Sequence, residues 1–148
     1  MPNASPETIF IAADHAGFIL KNQLIDFLKA KSFIVNDLGT NSKDSVDYPL
    51  YAHMLSKEIL ENKARGILIC GSGIGMDISA NRHRGIRAAL CHNSEIAQLS
   101  RKHNNSNVLV LGARFCDEAL AKEILESWLN TEFEGGRHER RVELIEKN

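Results

Sequence analysis

The sequence is poor in several features that mark large classes of proteins. Its 148 residues include only three cysteines and three prolines, and 6% of them are aromatic. Three thiols without a Cys-x-x-Cys pair are too few for the disulfide framework of a small secreted protein. No apolar run approaches the roughly 20 residues of a membrane span. The N-terminus also lacks the basic and apolar regions of a signal peptide, so we expect a cytoplasmic protein with no membrane partner.

An excess of either charge is missing as well. Lysine and arginine number 18 against 19 aspartates and glutamates, which gives a formal net charge of -1. This balance gives no global attraction to nucleic acid, so we expect no nucleic-acid partner. The six histidines show neither an HExxH motif nor the spacing of a Cys/His quartet, which predicts no metal site. The length suits a single domain over residues 1–148, which begins with a leader over residues 1–7 that we expect to be flexible.

The chain does contain a regular alternation of strand-like and helix-like segments. Short apolar runs predict strands over residues 9–13, 33–38, 66–70, 86–91 and 108–111. Apolar residues near helical spacing and helix-start signals predict helices over residues 16–31, 49–62, 76–81, 94–103 and 117–130. Pro49 suits the first turn of the second helix, and Asp117 suits the N-cap of the last. This repeated order predicts a parallel sheet with helices on both faces.

Ligands of such sheets bind at the carboxyl ends of the strands, near the point where the strand order reverses. Several polar or reactive residues follow the predicted strands directly. They stand in four segments: Asp14-His15, Cys70 to Gly75, Cys91-His92 and Gly112 to Arg114. We therefore expect the functional groups to come from these segments.

A glycine-rich loop follows the third predicted strand, in the segment GILICGSGIGMDISAN at residues 66–81. Its glycines do not follow the G-x-G-x-x-G spacing of dinucleotide sites, and no Gly-Lys-Ser/Thr follows as in a P-loop. The loop can form a nest of amides for an oxyanion or a phosphate, or it can simply make a tight turn. Cys70 at its start is by itself typical of a small core residue. A thiol beside a helix N-terminus, however, ionises more readily, which makes Cys70 a candidate reactive group.

Other candidates have more than one use. Asp14 can orient an imidazole, hold a sugar hydroxyl or cap a helix. His103 ends a predicted helix, a position more typical of a C-cap contact than of a catalyst. The segment GGRHERR holds the densest basic cluster, and arginine forks match phosphate oxygens, although solvated charge is the commoner use. We interpret a second basic segment, NRHRGIR at residues 81–87, as surface.

Several of these segments together resemble one family, the ribose-5-phosphate isomerase B group, which also includes galactose-6-phosphate and allose-6-phosphate isomerases. The matching segments, in order, are IAADHAGF, DYPLYA, GILICGSGIGMDISANRHRGIRAAL, AQLSRKHNNSNVLVLGAR and EFEGGRHERRVELI, which cover nearly the whole chain. The resemblance implies a three-layer α/β Rossmann-like sandwich with a five-stranded parallel sheet and a C-terminal helical arm. It also implies a homodimer or a tetramer, with the site between two subunits and the arm at residues 131–148 contacting the partner.

The resemblance further implies an aldose–ketose isomerase that uses neither a metal nor an organic cofactor. Cys70 is then the base that removes the proton from carbon 2 of the sugar. Ser72, at a place that is often threonine in the family, assists proton movement between the two sugar oxygens. His103, with Asp14 nearby, opens the furanose ring.

The remaining site residues implied by the resemblance bind the substrate. The loop residues that form an anion hole for the enediolate are Gly71, Gly73, Ile74 and Gly75. The residues that contact the sugar are Tyr48 and Asn104. The phosphate-binding set is His15, Arg114, Arg137, His138 and Arg141.

The physical logic of the reaction agrees with these roles. The proton beside a sugar carbonyl is weakly acidic, so a base succeeds only if the enediolate charge is stabilised as it develops. The phosphate supplies binding energy that holds carbon 2 over the base. The expected reaction interconverts D-ribose 5-phosphate and D-ribulose 5-phosphate through an enediolate. The alternatives are a hexose-6-phosphate isomerase for galactose or allose, a non-catalytic phosphate- or nucleotide-binding module, and a thiol-dependent hydrolase.

Overall fold

The computed structural model describes residues 5–148 and contains one five-stranded sheet. The strands are β1 (Thr8–Ala13), β2 (Ile34–Asp37), β3 (Arg65–Cys70), β4 (Ala88–Leu90) and β5 (Val108–Gly112). They lie in the order β2-β1-β3-β5-β4, and every neighbouring pair is parallel. The predicted parallel sheet is therefore confirmed. Two strands are shorter than predicted, because β2 and β4 are edge strands that pair on one side only.

Six helices connect and cover these strands. They are α1 (Phe18–Ala30), α2 (Tyr48–Asn62), α3 (Ile74–Ala80), α4 (Ser94–Asn104), α5 (Glu118–Asn130) and α6 (Arg137–Ile145). A single 3-10 turn, His15–Gly17, precedes α1, so the first helix begins slightly later than predicted. Helices α1, α4 and α5 cover one face of the sheet, and α2 and α3 cover the other. The Rossmann-like α/β sandwich is confirmed.

The alternation of side chains along the strands builds a separate core on each face. Ile69 points into the core that also contains Trp128, whereas the neighbouring Leu68 points into the core that contains Met76. All four side chains are fully buried. Complete burial of one such aliphatic side chain contributes about 1.5–3 kcal/mol, so the two cores hold the strand ends in a fixed arrangement.

Helix-start signals in the sequence also operate in the structure. The carboxylate of Asp117 accepts a hydrogen bond from the N–H of Leu120 over 2.9 Å, which confirms it as the N-cap of α5. Pro49 lies in the first turn of α2, where its missing N–H costs no helical bond. Asn93 caps α4 in the same way as Asp117 caps α5.

The C-terminal segment forms α6, and its end is tied to the basic segment at residues 81–87. Glu146 accepts hydrogen bonds from Arg87 and from the N–H of Gly85, each over 2.8 Å. Arg84 donates to the backbone carbonyl of Asn148 over 2.7 Å. Arg84 is exposed, in agreement with the interpretation of this segment as surface, but Arg84 and Arg87 also anchor the end of the chain, which the sequence did not indicate.

The N-terminal leader is held at its last residue. The carboxylate of Glu7 forms a two-pronged pair with the guanidinium of Arg65, with both N–O distances at 2.7 Å. Its carbonyl accepts a hydrogen bond from Ile34 at the start of β2. Glu7 thus contacts both β2 and β3, residues 1–4 lie outside the described residues, and the flexibility of the leader stays a prediction. Within residues 5–148, no helix has the length and apolar character that a membrane crossing requires.

Candidate active site

The carboxyl ends of β1 and β3 frame a cavity of about 420 Å³. The chain runs from β1 to β2 on one side and then crosses to β3 on the other, so this is the switch point in strand order. The predicted site residues that line this cavity are Asp14, His15, Tyr48, Cys70, Gly71, Ser72, Ile74, Gly75 and Arg114. The fold thus brings together the segments that follow β1, β3 and β5.

Cys70 is the last residue of β3, and its side chain is 4% exposed. The N–H of Gly73 donates a hydrogen bond to its Sγ over 3.2 Å. This backbone contact orients the sulfur at the end of β3. The loop therefore holds the sulfur atom in a fixed place at the cavity.

The amides of the glycine loop are not all available to a ligand. The N–H of Gly73 is used by Cys70, and the N–H of Ile74 donates to Oγ of Ser72 over 3.2 Å. Among residues 5–148, the N–H groups of Ser72 and Gly75 have no acceptor. The expectation that Gly73 and Ile74 join the anion hole is thus not met in this arrangement, since both amides already have partners. The donors without an acceptor in this part of the described chain include the N–H groups of Gly71, Ser72 and Gly75.

Two glycines of the loop are required by its shape. Gly73 has a φ of 81°, a left-handed conformation that residues with a side chain rarely adopt. At Gly75, a Cβ atom would collide with the ring of Tyr48. The absence of a side chain at position 75 therefore lets Tyr48, at the start of α2, lie directly against the loop.

Asp14 acts as a cap and also lines the cavity. Its Oδ1 accepts hydrogen bonds from the N–H groups of Ala16 and Gly17, at 3.0 and 3.2 Å. No hydrogen-bond partner for Oδ2 is found within the described part of the chain, so this oxygen is the one left for a ligand. Asp14 can therefore cap the helix through Oδ1 and still offer Oδ2 to the site. Two of the uses that the sequence left open thus occur together.

Two basic side chains enter the cavity from different strands. The N–H of Val46 donates a hydrogen bond over 3.1 Å to Nδ1 of His15, which follows β1. Arg114 follows β5 and lies across the glycine loop, with its Nε 3.2 Å from the place that a Cβ of Gly71 would occupy. The N–H of Arg114 also donates to the carbonyl of Gly71 over 3.0 Å. Both residues are therefore positioned by backbone contacts at the site.

The other two thiols differ from Cys70. Cys91 is 1% exposed, and burial raises its pKa from 9.0 to about 11. Burial also raises the pKa of Cys116. Both thiols stay neutral at physiological pH, and the segment Cys91-His92 does not line this cavity, unlike the other three segments that follow strands.

The remaining predicted residues form a second group on α4 and α6. The imidazoles of His103 and His138 stack, with ring centroids 4.3 Å apart and planes inclined by 15°. Burial and the charges of His103 and Arg137 lower the pKa of His138, which favours its neutral form. Nearby, Arg137, Arg141 and Asn104 are exposed.

This second group does not line the cavity. Among the residues at 5–148, the lining includes none of His103, Asn104, Arg137, His138 and Arg141. The expectation that His103 lies near Asp14 is therefore not met within one chain. The reason is topological: Asp14 follows β1, whereas α4 follows β4, and two strands lie between β1 and β4.

Sequence reasoning missed three residues of this region. Ile78 lines the cavity one helical turn after Ile74, and this i, i+4 spacing could have revealed it. Ala16 also lines the cavity, next to His15. Val46 contributes only a backbone N–H, which carries no signal in the sequence. No group of three or more metal-ligating side chains occurs within residues 5–148.

Comparison with known proteins gives a consistent family. A family model described as Ribose/Galactose Isomerase matches residues 9–145. Ribose-5-phosphate isomerase B of Escherichia coli (strain K12) is 45% identical over 138 residues, covering 93% of each chain. D-erythrulose-4-phosphate isomerase of Pectobacterium atrosepticum is 46% identical over 140 residues, covering 93% of this chain and 92% of that protein.

Solved structures agree with these relatives. The crystal structure of a ribose 5-phosphate isomerase from Thermotoga maritima has a TM-score of 0.94 and 50% identity, and the match covers 96% of this chain and 99% of that one. Ribose-5-phosphate isomerase B from Mycoplasma genitalium, solved with bound ribulose-5-phosphate, has a TM-score of 0.93 and 40% identity over 97% of both chains. With the geometry of the cavity, these similarities show that the chain is a sugar-phosphate isomerase and belongs to the ribose/galactose isomerase family.

Proposed function

We propose that the protein interconverts D-ribose 5-phosphate and D-ribulose 5-phosphate, with Cys70 as the base. One observation carries the proposal: the Sγ of Cys70 accepts a backbone hydrogen bond at a cavity where the amides of Gly71, Ser72 and Gly75 have no partner within residues 5–148. A base and an anion site side by side are what removal of a proton beside a carbonyl requires.

The chemical step uses these groups in sequence. In the open-chain aldose, the thiolate of Cys70 takes the proton from carbon 2, and the bonding electrons form a carbon 1–carbon 2 double bond while the carbonyl oxygen gains negative charge. The amides of Ser72 and Gly75 stabilise that oxygen. Cys70 then returns a proton to carbon 1, and the hydroxyl proton of carbon 2 moves to the oxygen on carbon 1 with help from Oγ of Ser72. The product is the ketose, and no atom or electron is gained or lost.

Binding and ring opening involve the remaining residues. Arg114 and His15 are proposed to hold the phosphate, and Tyr48 and Asp14 the sugar. The furanose ring opens by proton transfer to the ring oxygen and from the hydroxyl of carbon 1, the step proposed for His103. Because His103 does not line the cavity of its own chain, we propose that it comes from a second subunit, together with Asn104, Arg137, His138 and Arg141. This arrangement makes the active protein a homodimer or a tetramer; its cytoplasmic location stays a prediction.

A sugar phosphate of another length is the second candidate. The family description names galactose as well as ribose, and the Pectobacterium relative is named for a four-carbon ketose phosphate. A panel of ribose 5-phosphate, galactose 6-phosphate, allose 6-phosphate and D-erythrulose 4-phosphate decides between them. We expect the highest kcat/KM for ribose 5-phosphate, and a higher value for another member would replace this substrate. Membership of an isomerase family speaks against a binding module or a hydrolase.

The base is tested with a matched pair of thiol variants. Cys70→Ala is expected to lower kcat by about a hundredfold to ten-thousandfold, the usual contribution of a general base. Cys91→Ala removes a buried thiol that follows β4, with β5 between it and β3, and should keep wild-type turnover. Exchange of the carbon 2 proton with solvent deuterium should be lost in parallel with turnover. If Cys70→Ala keeps most of its activity, Cys70 is not the base.

The shared site is tested by subunit mixing. Cys70→Ala and His103→Ala are each expected to be nearly inactive alone. In a dimer that contains one chain of each kind, one site combines the intact Cys70 with the intact His103. Random mixing should therefore restore about a quarter of the wild-type sites. Absence of any recovery, with subunit exchange verified, would show that Cys70 and His103 do not act across subunits.

A further inference from the structure

His15 and Val46 form a contact that the roles above do not use. The N–H of Val46 lies 3.1 Å from Nδ1 of His15, and His15 lines the cavity. The two residues are 31 positions apart, so the contact is tertiary. It joins the loop between β2 and α2 to the segment after β1.

This contact determines which ring nitrogen of His15 carries a proton. A backbone N–H can only donate, so Nδ1 must accept and cannot itself be protonated. In a neutral imidazole the proton then resides on Nε2. Within residues 5–148, Nε2 of His15 has no hydrogen-bond partner. It is therefore the atom left to meet a ligand in the cavity.

We propose that the backbone N–H of Val46 holds His15 as the neutral Nε2–H tautomer, which donates one hydrogen bond to the phosphate of the substrate. This inference rests on the proposed function for the identity of the ligand. Phosphate oxygens accept hydrogen bonds, so a ring with its only proton on Nε2 presents the correct partner, whereas the other tautomer would present a lone pair. Arg114 supplies the positive charge in the same cavity.

The loop that carries Val46 is anchored before any ligand binds. The ammonium of Lys21 is buried and contacts both carboxylate oxygens of Asp37 at 2.8 Å. Asp37 also accepts a hydrogen bond from the N–H of Gly39 over 2.9 Å, at the start of the loop. At the other end, α2 begins at Tyr48. These contacts fix the two ends of the loop, and in this ligand-free arrangement the N–H of Val46 already faces Nδ1 of His15.

The tautomer is measured directly by NMR on the ligand-free protein with 15N-labelled histidine at neutral pH. The His15 signals are assigned by their loss in His15→Asn. We expect a pyridine-like Nδ1 and a pyrrole-like, protonated Nε2. Val46→Pro, which lacks the N–H, should yield a mixture of tautomers, and Val46→Ala, which keeps the N–H, should retain the wild-type pattern. A protonated Nδ1 in the wild type would overturn the inference, whatever the turnover.

A pair of His15 variants tests the donor itself. In His15→Asn, the side-chain amide oxygen can still accept from Val46, but nothing donates at the Nε2 position; His15→Gln places an amide N–H near that position. With ribose 5-phosphate as substrate, His15→Asn should raise KM about tenfold to a hundredfold, the cost of one hydrogen bond to a charged group. His15→Gln should raise KM several times less than His15→Asn does. An equal rise in KM for both variants would show that His15 does not act as a hydrogen-bond donor to the substrate.

The two readouts separate this inference from the proposed function. A wild type that is inert on ribose 5-phosphate but shows the expected tautomer would refute the substrate and leave the tautomer established. Titration with inorganic phosphate then replaces the kinetic assay. The Nε2 proton of His15 should shift on phosphate addition in the wild type, and an unchanged signal at saturating phosphate would exclude His15 as its donor.

Discussion

The sheet carries a cavity at each end, about 420 Å³ at the carboxyl end and about 360 Å³ at the amino end. The amino-end cavity is the more basic of the two, since Lys63, Arg65, Arg87 and Arg101 line it. The carboxyl-end cavity has one arginine, Arg114. By charge alone, the amino end is the better place for an anionic substrate.

The hydrogen bonds reverse that expectation. At the amino end, Arg87 donates through Nε to the carbonyls of Asn104 and Asn105, at 3.0 and 3.1 Å, where α4 ends. Arg65 pairs with Glu7, and Arg101 donates to the carbonyl of Thr131 over 3.1 Å. Arg87 and Arg101 thus satisfy carbonyls that a helix end or a loop leaves without partners, and Arg65 pairs with a carboxylate.

The carboxyl end has the opposite arrangement. Helix α3 begins there, and the first turn of a helix leaves N–H groups without intrahelical partners. Those of Ser72 and Gly75 have no acceptor within residues 5–148. Oδ2 of Asp14 and Nε2 of His15 are also left for a ligand. The two ends therefore differ in how their polar groups are used: the arginines of the amino end are engaged in internal contacts, whereas backbone donors at the carboxyl end stay available.

The largest expected difference between the two ends comes from a pair of glycine substitutions. A Cβ at Gly112 would lie 2.5 Å from the carbonyl oxygen of Ser72, a backbone atom that can only move with the whole loop. Gly112→Ala should lower kcat about a hundredfold, as expected for misplacing a catalytic loop by about 1 Å. Gly85→Ala at the amino end, with a φ of 93°, should cost about 1–2 kcal/mol of stability and leave kcat unchanged. Steady-state kinetics with chemical denaturation measures both, and equal kcat in the two variants would contradict the comparison.

The second-largest difference between the two ends of the sheet is expected from a pair of arginine substitutions. Arg114→Ala should raise KM about tenfold to a hundredfold, because it removes a charged donor from the cavity. Arg101→Ala should leave KM unchanged. It should lower the free energy of unfolding by about 1–3 kcal/mol, because the carbonyls that this guanidinium satisfies lose their hydrogen-bond partner. Kinetics and urea denaturation on both variants measure the contrast. A raised KM in Arg101→Ala would mean that the amino end also binds substrate.

The smallest effect on catalysis is expected at Cys91, a thiol that is sealed from the cavity. Its pKa is raised to about 11, so the unfolded chain releases this proton at lower pH than the folded protein. Below pH 9 the thiol is protonated in both states and the free energy of unfolding keeps its full value. As the pH rises from 9 towards 11, the free energy of unfolding falls by about 2–3 kcal/mol. Cys91→Ala should lose less stability over this range, with kcat unchanged at neutral pH. Denaturation at several pH values measures the difference, and parallel curves for the two proteins would refute it.

Much of this architecture could be predicted because its signals are local. The apolar run before Cys70 predicts a buried strand, and Asp117 before a helical pattern predicts a cap; both follow from neighbouring residues alone. The short edge strands were overestimated, because a run such as Ile86 to Cys91 is apolar whether or not a second neighbour pairs with it. The anchoring role of Arg87 was missed, since its partner Glu146 is 59 positions away.

The candidate site likewise combines features that neighbouring residues predict with contacts between distant residues that they do not. The reactive groups can be recognised from the sequence: a thiol beside a glycine loop, a carboxylate and an imidazole after the first strand, and a basic C-terminal arm. Which of these groups meet, and which donors stay unpaired, depends on how the strands are ordered in the sheet. Parallel strand order places β1 beside β3 and so brings His15 to Cys70, but it leaves two strands between β1 and β4 and so keeps His103 away from this cavity. Backbone contacts such as that of Val46 depend on where the chain folds back, which no side-chain pattern records.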